Sequence, residues 1–258
     1  MRIIQRYLSY SRLIALMAAG LAMAIWFHCV ACLVPVSLAR RQRATRWFLA
    51  RMVAALPLRV QLSGTLPERP ALWLANHISW TDIPLLGQWL PMSFLSKDDV
   101  RQWPIAGWLA QESGTLFIRR GSGDLEGLHR QLADYLRQGH PLLIFPEGTT
   151  TDGSQVGIFH SRLLSCATAT GVPVQPVAIR YLRRGQRDSI APFIGADDLL
   201  SHLRRLLAHE PVDVEIHLLP LIETAGRNRS GIAREAREGI KQALQFASGS
   251  EEKPSVAA

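Results

Sequence analysis

The segment Ala71-Leu72-Trp73-Leu74-Ala75-Asn76-His77-Ile78-Ser79-Trp80-Thr81-Asp82 sets the architecture of this chain. Its first five residues are an apolar run of the length expected for a buried strand. His77 and Asp82 follow, and on one continuous helix their side chains would point about 140° apart. The two side chains can therefore meet only if a helix begins between them. Ser79 is a good N-cap for such a helix, which would leave His77 on a loop and Asp82 in the first turn.

A carboxylate beside a histidine is typical of a general base. The carboxylate accepts the proton of one imidazole nitrogen, and the other nitrogen remains able to take a proton from a substrate. Two plainer interpretations compete with this one. Ser79-x-x-Asp82 also matches a capping box, in which Asp82 bonds only the backbone at the helix start, and a histidine at a strand end is commonly a structural residue. The segment alone leaves these interpretations open.

The composition indicates a folded protein that meets acidic groups. The chain has 258 residues, 48% of them hydrophobic, which is enough for one large α/β domain and excludes a wholly disordered chain. Its formal charge of +8 comes almost entirely from arginine. Because arginine suits phosphate and carboxylate groups, acidic lipid, nucleic acid and a phosphorylated substrate are all candidate partners. Cys29 and Cys32 have the spacing of a redox or metal pair, but they lie in an apolar run without a second pair, so we interpret them as packing residues.

The N-terminal part of the chain indicates a membrane anchor. Residues 13–39 contain no Asp, Glu, Lys or Arg, and as one helix they would be about 40 Å long, more than the roughly 30 Å hydrocarbon core. The run is also longer than the apolar part of a signal peptide. More arginines follow the run than precede it, which predicts a domain facing the cytoplasm at the cell (inner) membrane. A helix broken near Pro35 that lies in the interface would serve equally well.

Downstream of the anchor, segments of strand type and helix type alternate. Strands are predicted at 58–63, 71–75, 93–97, 116–118, 141–145, 173–180 and 212–218. Helices are predicted at 45–56, 83–90, 124–138, 161–170 and 231–247. This alternation predicts an α/β fold with a mixed, largely parallel sheet flanked by helices and preceded by a membrane-associated helical segment. We divide the chain into an anchor with interfacial helices at 1–57, an α/β domain at 58–247 and a disordered tail at 248–258.

Four short motifs occur in a fixed order along the α/β domain. They are Asn76-His77-x-Ser79-x-x-Asp82, Gly114-x-x-Phe117-Ile118-x-Arg120, Phe145-Pro146-Glu147-Gly148-Thr149 and Val174-x-Pro176-Val177. One His-x-x-x-x-Asp pair would be weak evidence. All four together resemble the motifs of the glycerolipid acyltransferases of the 1-acyl-sn-glycerol-3-phosphate acyltransferase type, over about residues 58–179, and the N-terminal anchor agrees with that family.

The resemblance implies a membrane-bound O-acyltransferase that moves a fatty acyl group from acyl-CoA or an acyl carrier protein thioester to a lysophospholipid, with no cofactor and no metal. His77 would take the proton of the lipid hydroxyl, and Asp82 would orient the imidazole. The residues that the resemblance implies for binding the acceptor are Arg120, Lys97, Glu147, Gly148 and Thr149. Backbone N–H groups at the Glu147 turn would face an oxyanion or a phosphate.

One departure from the family pattern concerns the acceptor. Many members that form phosphatidic acid carry arginine after Glu-Gly-Thr, whereas this chain has Thr150 and then Thr151-Asp152-Gly153. That form resembles the acyltransferases that make ornithine lipid from lyso-ornithine lipid. We rank acylation of 1-acylglycerol-3-phosphate first because it is the commoner activity, and keep lyso-ornithine lipid O-acylation as the alternative.

Two other classes of protein compete with an acyltransferase. A basic protein that binds anionic lipid or nucleic acid would use the arginines without chemistry, but Arg183, Arg184, Arg187, Arg204 and Arg205 lack interleaved aromatic residues, so no nucleic acid is expected. A metal-dependent hydrolase would need further ligands clustered with His77 and Asp82 in the sequence.

Overall fold

The computed structural model describes residues 2–103, 105–118 and 125–249. The helices are α1 Arg2–Ala31, α2 Leu38–Ala55, α3 Asp82–Gly87, α4 Ala106–Glu112, α5 Leu125–Arg137, α6 Ser165–Thr170, α7 Leu199–Ala208 and α8 Arg229–Gly249. The strands are β1 Leu58–Ser63, β2 Leu72–Ala75, β3 Ser93–Lys97, β4 Leu116–Ile118, β5 Leu142–Ile144, β6 Val174–Arg183, β7 Gln186–Arg187 and β8 Val212–Leu218. Of the predicted tail, residues 250–258 lie outside the described part of the chain.

The strands of the described residues form one eight-stranded sheet in the order β1-β8-β6-β2-β5-β3-β4, with β7 paired to β6. The pairs β2–β5, β2–β6, β3–β5, β3–β4 and β1–β8 are parallel. The pair β6–β8 is antiparallel, so β8 and β1 run against the other main strands. The predicted mixed, largely parallel sheet with flanking helices is therefore confirmed.

The apolar residues of β2 contribute to two hydrophobic cores, one on each face of the sheet. Leu72 and Leu74 pack on one face of the sheet against helices α5, α6 and α8. Trp73 and Ala75 point to the other face, where α1, α2 and α3 contribute to the core. Both faces are covered, which is why this strand is apolar at every position rather than alternating. Because side chains alternate along an extended chain, His77 continues toward the face on which the N-terminal helices lie.

The long apolar run at the N-terminus is not one helix. Helix α1 ends at Ala31, and α2 begins at Leu38 after a segment that contains Pro35. Proline cannot continue a helix without losing a backbone hydrogen bond, which explains the predicted break near Pro35. The placement of these helices across the bilayer or in the interface stays a prediction. Among the described residues, one helix segment, Tyr7–Ala31, is long and apolar enough to cross a membrane. Its exposed side chains include Tyr7, Ile14 and Trp26.

Helix α7 was missed by the sequence prediction, although its start carries a readable signal. Asp198 is its N-cap, and the Asp198 carboxylate accepts hydrogen bonds from Leu200 N and Ser201 N at 3.0 Å each. Strand β6 extends three residues beyond the predicted 173–180 segment and so includes Tyr181. Both differences affect the site, because α7 lines it and Tyr181 reaches into it.

Candidate active site

His77 and Asp82 form a hydrogen-bonded pair, as the sequence predicts. His77 Nδ1 lies 2.8 Å from Asp82 Oδ2, and the Asp82 side chain is fully buried while 16% of the His77 side chain is exposed. A loop separates them, and helix α3 starts at Asp82 itself. His77 is thus left on the loop after β2, and Asp82 can turn back from the first turn of α3 toward the imidazole. With Nδ1 engaged, Nε2 is the nitrogen that can act as a base.

The predicted N-cap at Ser79 is wrong, and the capping interpretation of Asp82 is only half of what the structure contains. The residue before α3 is Thr81, which makes no side-chain cap hydrogen bond. Asp82 Oδ2 accepts from Ile78 N at 2.7 Å and from Ser79 N at 2.9 Å, in addition to the histidine. Asp82 Oδ2 therefore does two things: it closes the loop at residues 78–81 and it holds the His77 imidazole.

The Glu147 turn is joined to the His77 loop through the Glu147 side chain. Glu147 Oε1 accepts from His77 N at 2.9 Å, and Oε2 accepts from Gly157 N at 2.7 Å. Burial raises the pKa of the Glu147 carboxyl, and the two backbone hydrogen bonds oppose that rise. Both oxygens accept hydrogen bonds within the protein, so this carboxylate positions the His77 loop, and its contact with the acceptor stays a prediction.

Of the backbone N–H groups at the Glu147 turn, that of Gly148 is engaged within the turn, and the predicted contact of this turn with an oxyanion or a phosphate stays a prediction. Gly148 N donates to Phe145 O at 3.0 Å, which closes a turn with Pro146 and Glu147 at its centre. Gly148 adopts a φ of 68°, in the region where glycine is favoured. The turn places the Phe145 ring face to face with the imidazole, with ring centroids 3.8 Å apart and an interplanar angle of 11°. Gly148 and Thr149 nevertheless line the cavity described next.

A largely apolar cavity of about 610 Å³ opens beside His77. The N-terminal helices form one wall, with Met17 and Met23 from α1 and Phe48 and Met52 from α2. The loops that follow the strands form the opposite wall, together with residues of α7. The histidine thus lies where an apolar chain and a polar group can be held together.

Two of the predicted acceptor-binding residues remain to be placed, Lys97 and Arg120. Lys97 lines the cavity at the end of β3, together with Asp99 two residues further on. Arg120 lies outside the described residues, so its role stays a prediction. Thr150, which directly follows Glu147-Gly148-Thr149, lines the cavity, and its hydroxyl donates to Phe193 O.

Most of the arginines that the nucleic-acid or anionic-lipid interpretation would use are paired with carboxylates. Arg184 binds Glu210 at 2.9 Å, and Arg187 binds Asp152 at 3.3 Å. Arg205 binds Asp197 at 2.7 Å, and this contact lowers the pKa of the Asp197 carboxyl to about 2. Internal pairing offsets much of this positive charge, which weakens the interpretation of these arginines as a nucleic-acid surface.

The fold and the site together define an α/β enzyme with a His–Asp pair at the end of a central strand, beside an apolar cavity. Residues 57–180 match the acyltransferase family model. A lyso-ornithine lipid O-acyltransferase from Pseudomonas aeruginosa is 54% identical over 235 residues, which cover 91% of this chain and 91% of that protein. The chain therefore belongs to the acyltransferase family.

Two more distant relatives agree with this assignment. A 1-acyl-sn-glycerol-3-phosphate acyltransferase from Neisseria meningitidis is 28% identical over 205 residues, covering 78% of this chain and 80% of that protein. The crystal structure of the 1-acyl-sn-glycerophosphate acyltransferase PlsC from Thermotoga maritima superposes with a TM-score of 0.71, at 20% identity over 98% of this chain and 100% of that one. At that identity, the structural likeness shows the fold alone.

Proposed function

We propose that this acyltransferase moves a fatty acyl group from an acyl thioester to the free hydroxyl of lyso-ornithine lipid. The His77–Asp82 pair beside the apolar cavity carries the proposal of acyl transfer to a lipid. The 54% identity to a protein named for lyso-ornithine lipid carries the choice of acceptor, against 28% for a relative named for 1-acylglycerol-3-phosphate. This order reverses the ranking that the sequence alone suggests.

The chemistry follows from the free nitrogen of His77. Nε2 takes the proton of the acceptor hydroxyl as its oxygen attacks the thioester carbonyl. A C–O bond forms, the C–S bond breaks, and the leaving thiolate takes the proton from the imidazolium. The Asp82 carboxylate stabilises the imidazolium while it exists and fixes the ring so that Nδ1 carries its proton inward. A positioned base of this kind typically contributes about 10² to 10⁴ in rate.

The polar residues along the cavity support a zwitterionic acceptor. Ornithine carries a carboxylate and an ammonium group, whereas lysophosphatidate carries a phosphate. Thr150 supplies no charge where an arginine would bind phosphate, and its hydroxyl is already engaged with Phe193 O. Lys97 and Asp99 line the same cavity with opposite charges, which suits a head group that has both signs.

The apolar wall supports a membrane-bound substrate. The cavity lies between the α1–α2 helix pair and the α/β domain, so an acyl chain in it would contact side chains such as Met17 and Phe48. Exposed apolar residues on α1 support insertion into the bilayer, with the domain on the cytoplasmic side of the cell membrane, where acyl-CoA or an acyl carrier protein thioester is the donor. The partners that we propose are therefore lipid and a thioester donor.

The test is an acylation assay of the purified protein with product detection by mass spectrometry. Lyso-ornithine lipid and lysophosphatidate are each offered with acyl-CoA and with acyl carrier protein thioester. We expect a higher kcat/KM for lyso-ornithine lipid with at least one donor, and loss of all transfer in His77→Ala. A clear preference for lysophosphatidate would overturn the acceptor, and a His77→Ala variant with near-normal turnover would overturn the base.

A further inference from the structure

We propose that Tyr181 is a positioning residue of the active site, which acts through Asp82 to set how tightly the His77 imidazole holds its proton. The inference rests on the proposed role of His77 as the base. Tyr181 lies 99 residues from Asp82 in the chain and belongs to none of the four motifs, although it follows the last of them on the same strand.

The phenol binds the oxygen of Asp82 that the histidine does not use. Tyr181 OH donates to Asp82 Oδ1 at 2.5 Å, and the Thr81 hydroxyl lies 2.7 Å from the same phenol oxygen. All three residues are buried, with 2% exposure for Tyr181 and none for Thr81 and Asp82. Because the phenol proton is donated to the carboxylate, the Thr81 hydroxyl donates to the phenol. The result is a chain of hydrogen bonds from Thr81 through Tyr181 and Asp82 to His77.

The sheet register explains how a residue so distant in sequence arrives there. Strand β6 lies parallel to β2, with Ala75 opposite Val177. Val177, Ile179 and Tyr181 all point to the face that carries Trp73 and Ala75. That face is the one on which His77 and the start of α3 lie. Tyr181 therefore stands under the His77 loop because β6 continues past the end of β2.

The phenol is a donor at every pH at which the enzyme can be assayed. Burial raises the pKa of Tyr181 well above its ordinary value, and the negative charge of Asp82 raises it further. A hydrogen bond to a carboxylate draws negative charge away from it, so the carboxylate attracts a neighbouring imidazolium less strongly. Removing the phenol oxygen leaves Asp82 with one donor fewer. The imidazolium of His77 is then held more tightly, and a higher pH is needed to free the base.

Other charged groups near this chain of bonds are few among the described residues. Glu147 contacts the backbone of His77 and feels the charges of both His77 and Asp82. Asp188, whose backbone N donates to Tyr181 O at 2.9 Å, also acts on the phenol and is itself paired with Arg183. Neither acidic group binds the Tyr181 phenol, so a change at Tyr181 alters the contacts of Asp82 and Thr81 first.

The test is the pH profile of kcat/KM for Tyr181→Phe beside the wild-type protein. We expect the acid limb to move to higher pH by about 0.5 to 1 unit, which is about a 3- to 10-fold change in proton affinity, with a smaller loss at the plateau. Thr81→Val removes the hydroxyl that polarises the phenol, so it should move the limb in the same direction by less. Thr81 makes no side-chain cap bond, so this variant leaves the start of α3 intact and provides the test if Tyr181→Phe does not fold.

Tyr135→Phe is the matched control. The Tyr135 phenol is also bound by two polar side chains, Gln42 and Ser93, but it does not contact the His–Asp pair. We expect a loss of stability and an unmoved acid limb. An unmoved limb in both Tyr181→Phe and Thr81→Val, or a limb shifted to lower pH, overturns the inference. A wild-type protein inactive on both lysolipids, or an active His77→Ala, would instead overturn the proposed function.

Discussion

Asp82→Asn separates the chemical role of this carboxylate from its structural one. The substitution keeps an oxygen that can accept from Ile78 N and Ser79 N, but it removes the negative charge beside His77 Nδ1, 2.8 Å away. Two unit charges about 4 Å apart interact by about 4 kcal/mol at an effective dielectric constant of about 20. If that attraction is present only when the imidazole is protonated, its loss slows transfer by about 10³-fold.

The structural cost of the same substitution is much smaller. Losing the charged hydrogen bonds of one buried acceptor is worth about 1 to 3 kcal/mol, which leaves a protein of ordinary stability folded. The assay is the initial rate of acyl transfer, measured by mass spectrometry beside the melting temperature of the same preparation. A rate within about tenfold of wild type, with a lowered melting temperature, would refute the role of Asp82 in catalysis and leave it a helix cap.

Asp198→Asn is the matched control for this experiment. Asp198 also accepts from two backbone N–H groups at the start of a helix, but no histidine is bound to its carboxylate. Asparagine is an equally good cap, so we expect near-normal stability and normal turnover. A comparable loss of rate in Asp198→Asn would mean that carboxyl-to-amide changes at helix starts impair this enzyme by a route other than the imidazole.

Three further predictions concern stability and specificity. Burial lowers the pKa of His202, whose Nδ1 accepts from Trp80 Nε1 at 2.9 Å, so stability should fall as the pH drops below about 6.5, and His202→Asn should flatten that slope in melting curves. Asp99→Asn should raise KM for lyso-ornithine lipid several-fold and leave KM for lysophosphatidate nearly unchanged, because only ornithine carries an ammonium group. Gly157→Ala would bring a Cβ within 2.5 Å of Glu147 Oε2, so unfolding should become easier by about 1 to 3 kcal/mol and turnover should fall.

Each of these predictions has an outcome that contradicts it. A melting temperature with the same pH slope in His202→Asn as in wild type would remove His202 as the titrating group. Equal effects of Asp99→Asn on both acceptors would remove the ammonium contact. For Gly157→Ala the control is Gly231→Ala, where a Cβ meets nothing within 4 Å and the helix should gain about 0.5 to 1 kcal/mol. A destabilised Gly231→Ala would argue against the local clash as the cause.

The parts of the site that the sequence predicted are those set by local pattern. The apolar run 71–75 predicts β2, and the five-residue spacing of His77 and Asp82 requires a helix start between them, as observed. The contacts that could not be predicted join segments far apart in the chain. Glu147 binds His77 N across 70 residues, and Tyr181 binds Asp82 across 99. Such contacts depend on which strands are neighbours and how far each extends.

The residue at which a helix starts was equally hard to predict, because more than one polar side chain could bond the backbone there. The sequence offers Ser79 as a cap, but the buried Asp82 carboxylate accepts from Ile78 N and Ser79 N and holds this stretch as a loop. The cap position therefore falls two residues later, at Thr81, and α3 starts at Asp82. The start of α7 was readable from Asp198, yet the segment after it was not assigned. In both places the hydrogen bonds of a single acidic side chain to backbone N–H groups fix where the helix starts.

The cavity is lined both by the N-terminal helices and by the α/β domain, which affects how this protein can be produced. A recombinant truncation that starts at residue 58 would discard Phe48, Leu49 and Val53, which are buried against Trp73 and Leu85 of the catalytic domain. The uncovered apolar patch would make such a product prone to aggregate, and the cavity beside His77 would be open on one side. Expression of residues 58–258 alone is therefore a poor route to an active enzyme, and the chain with α1 and α2 is the better starting material.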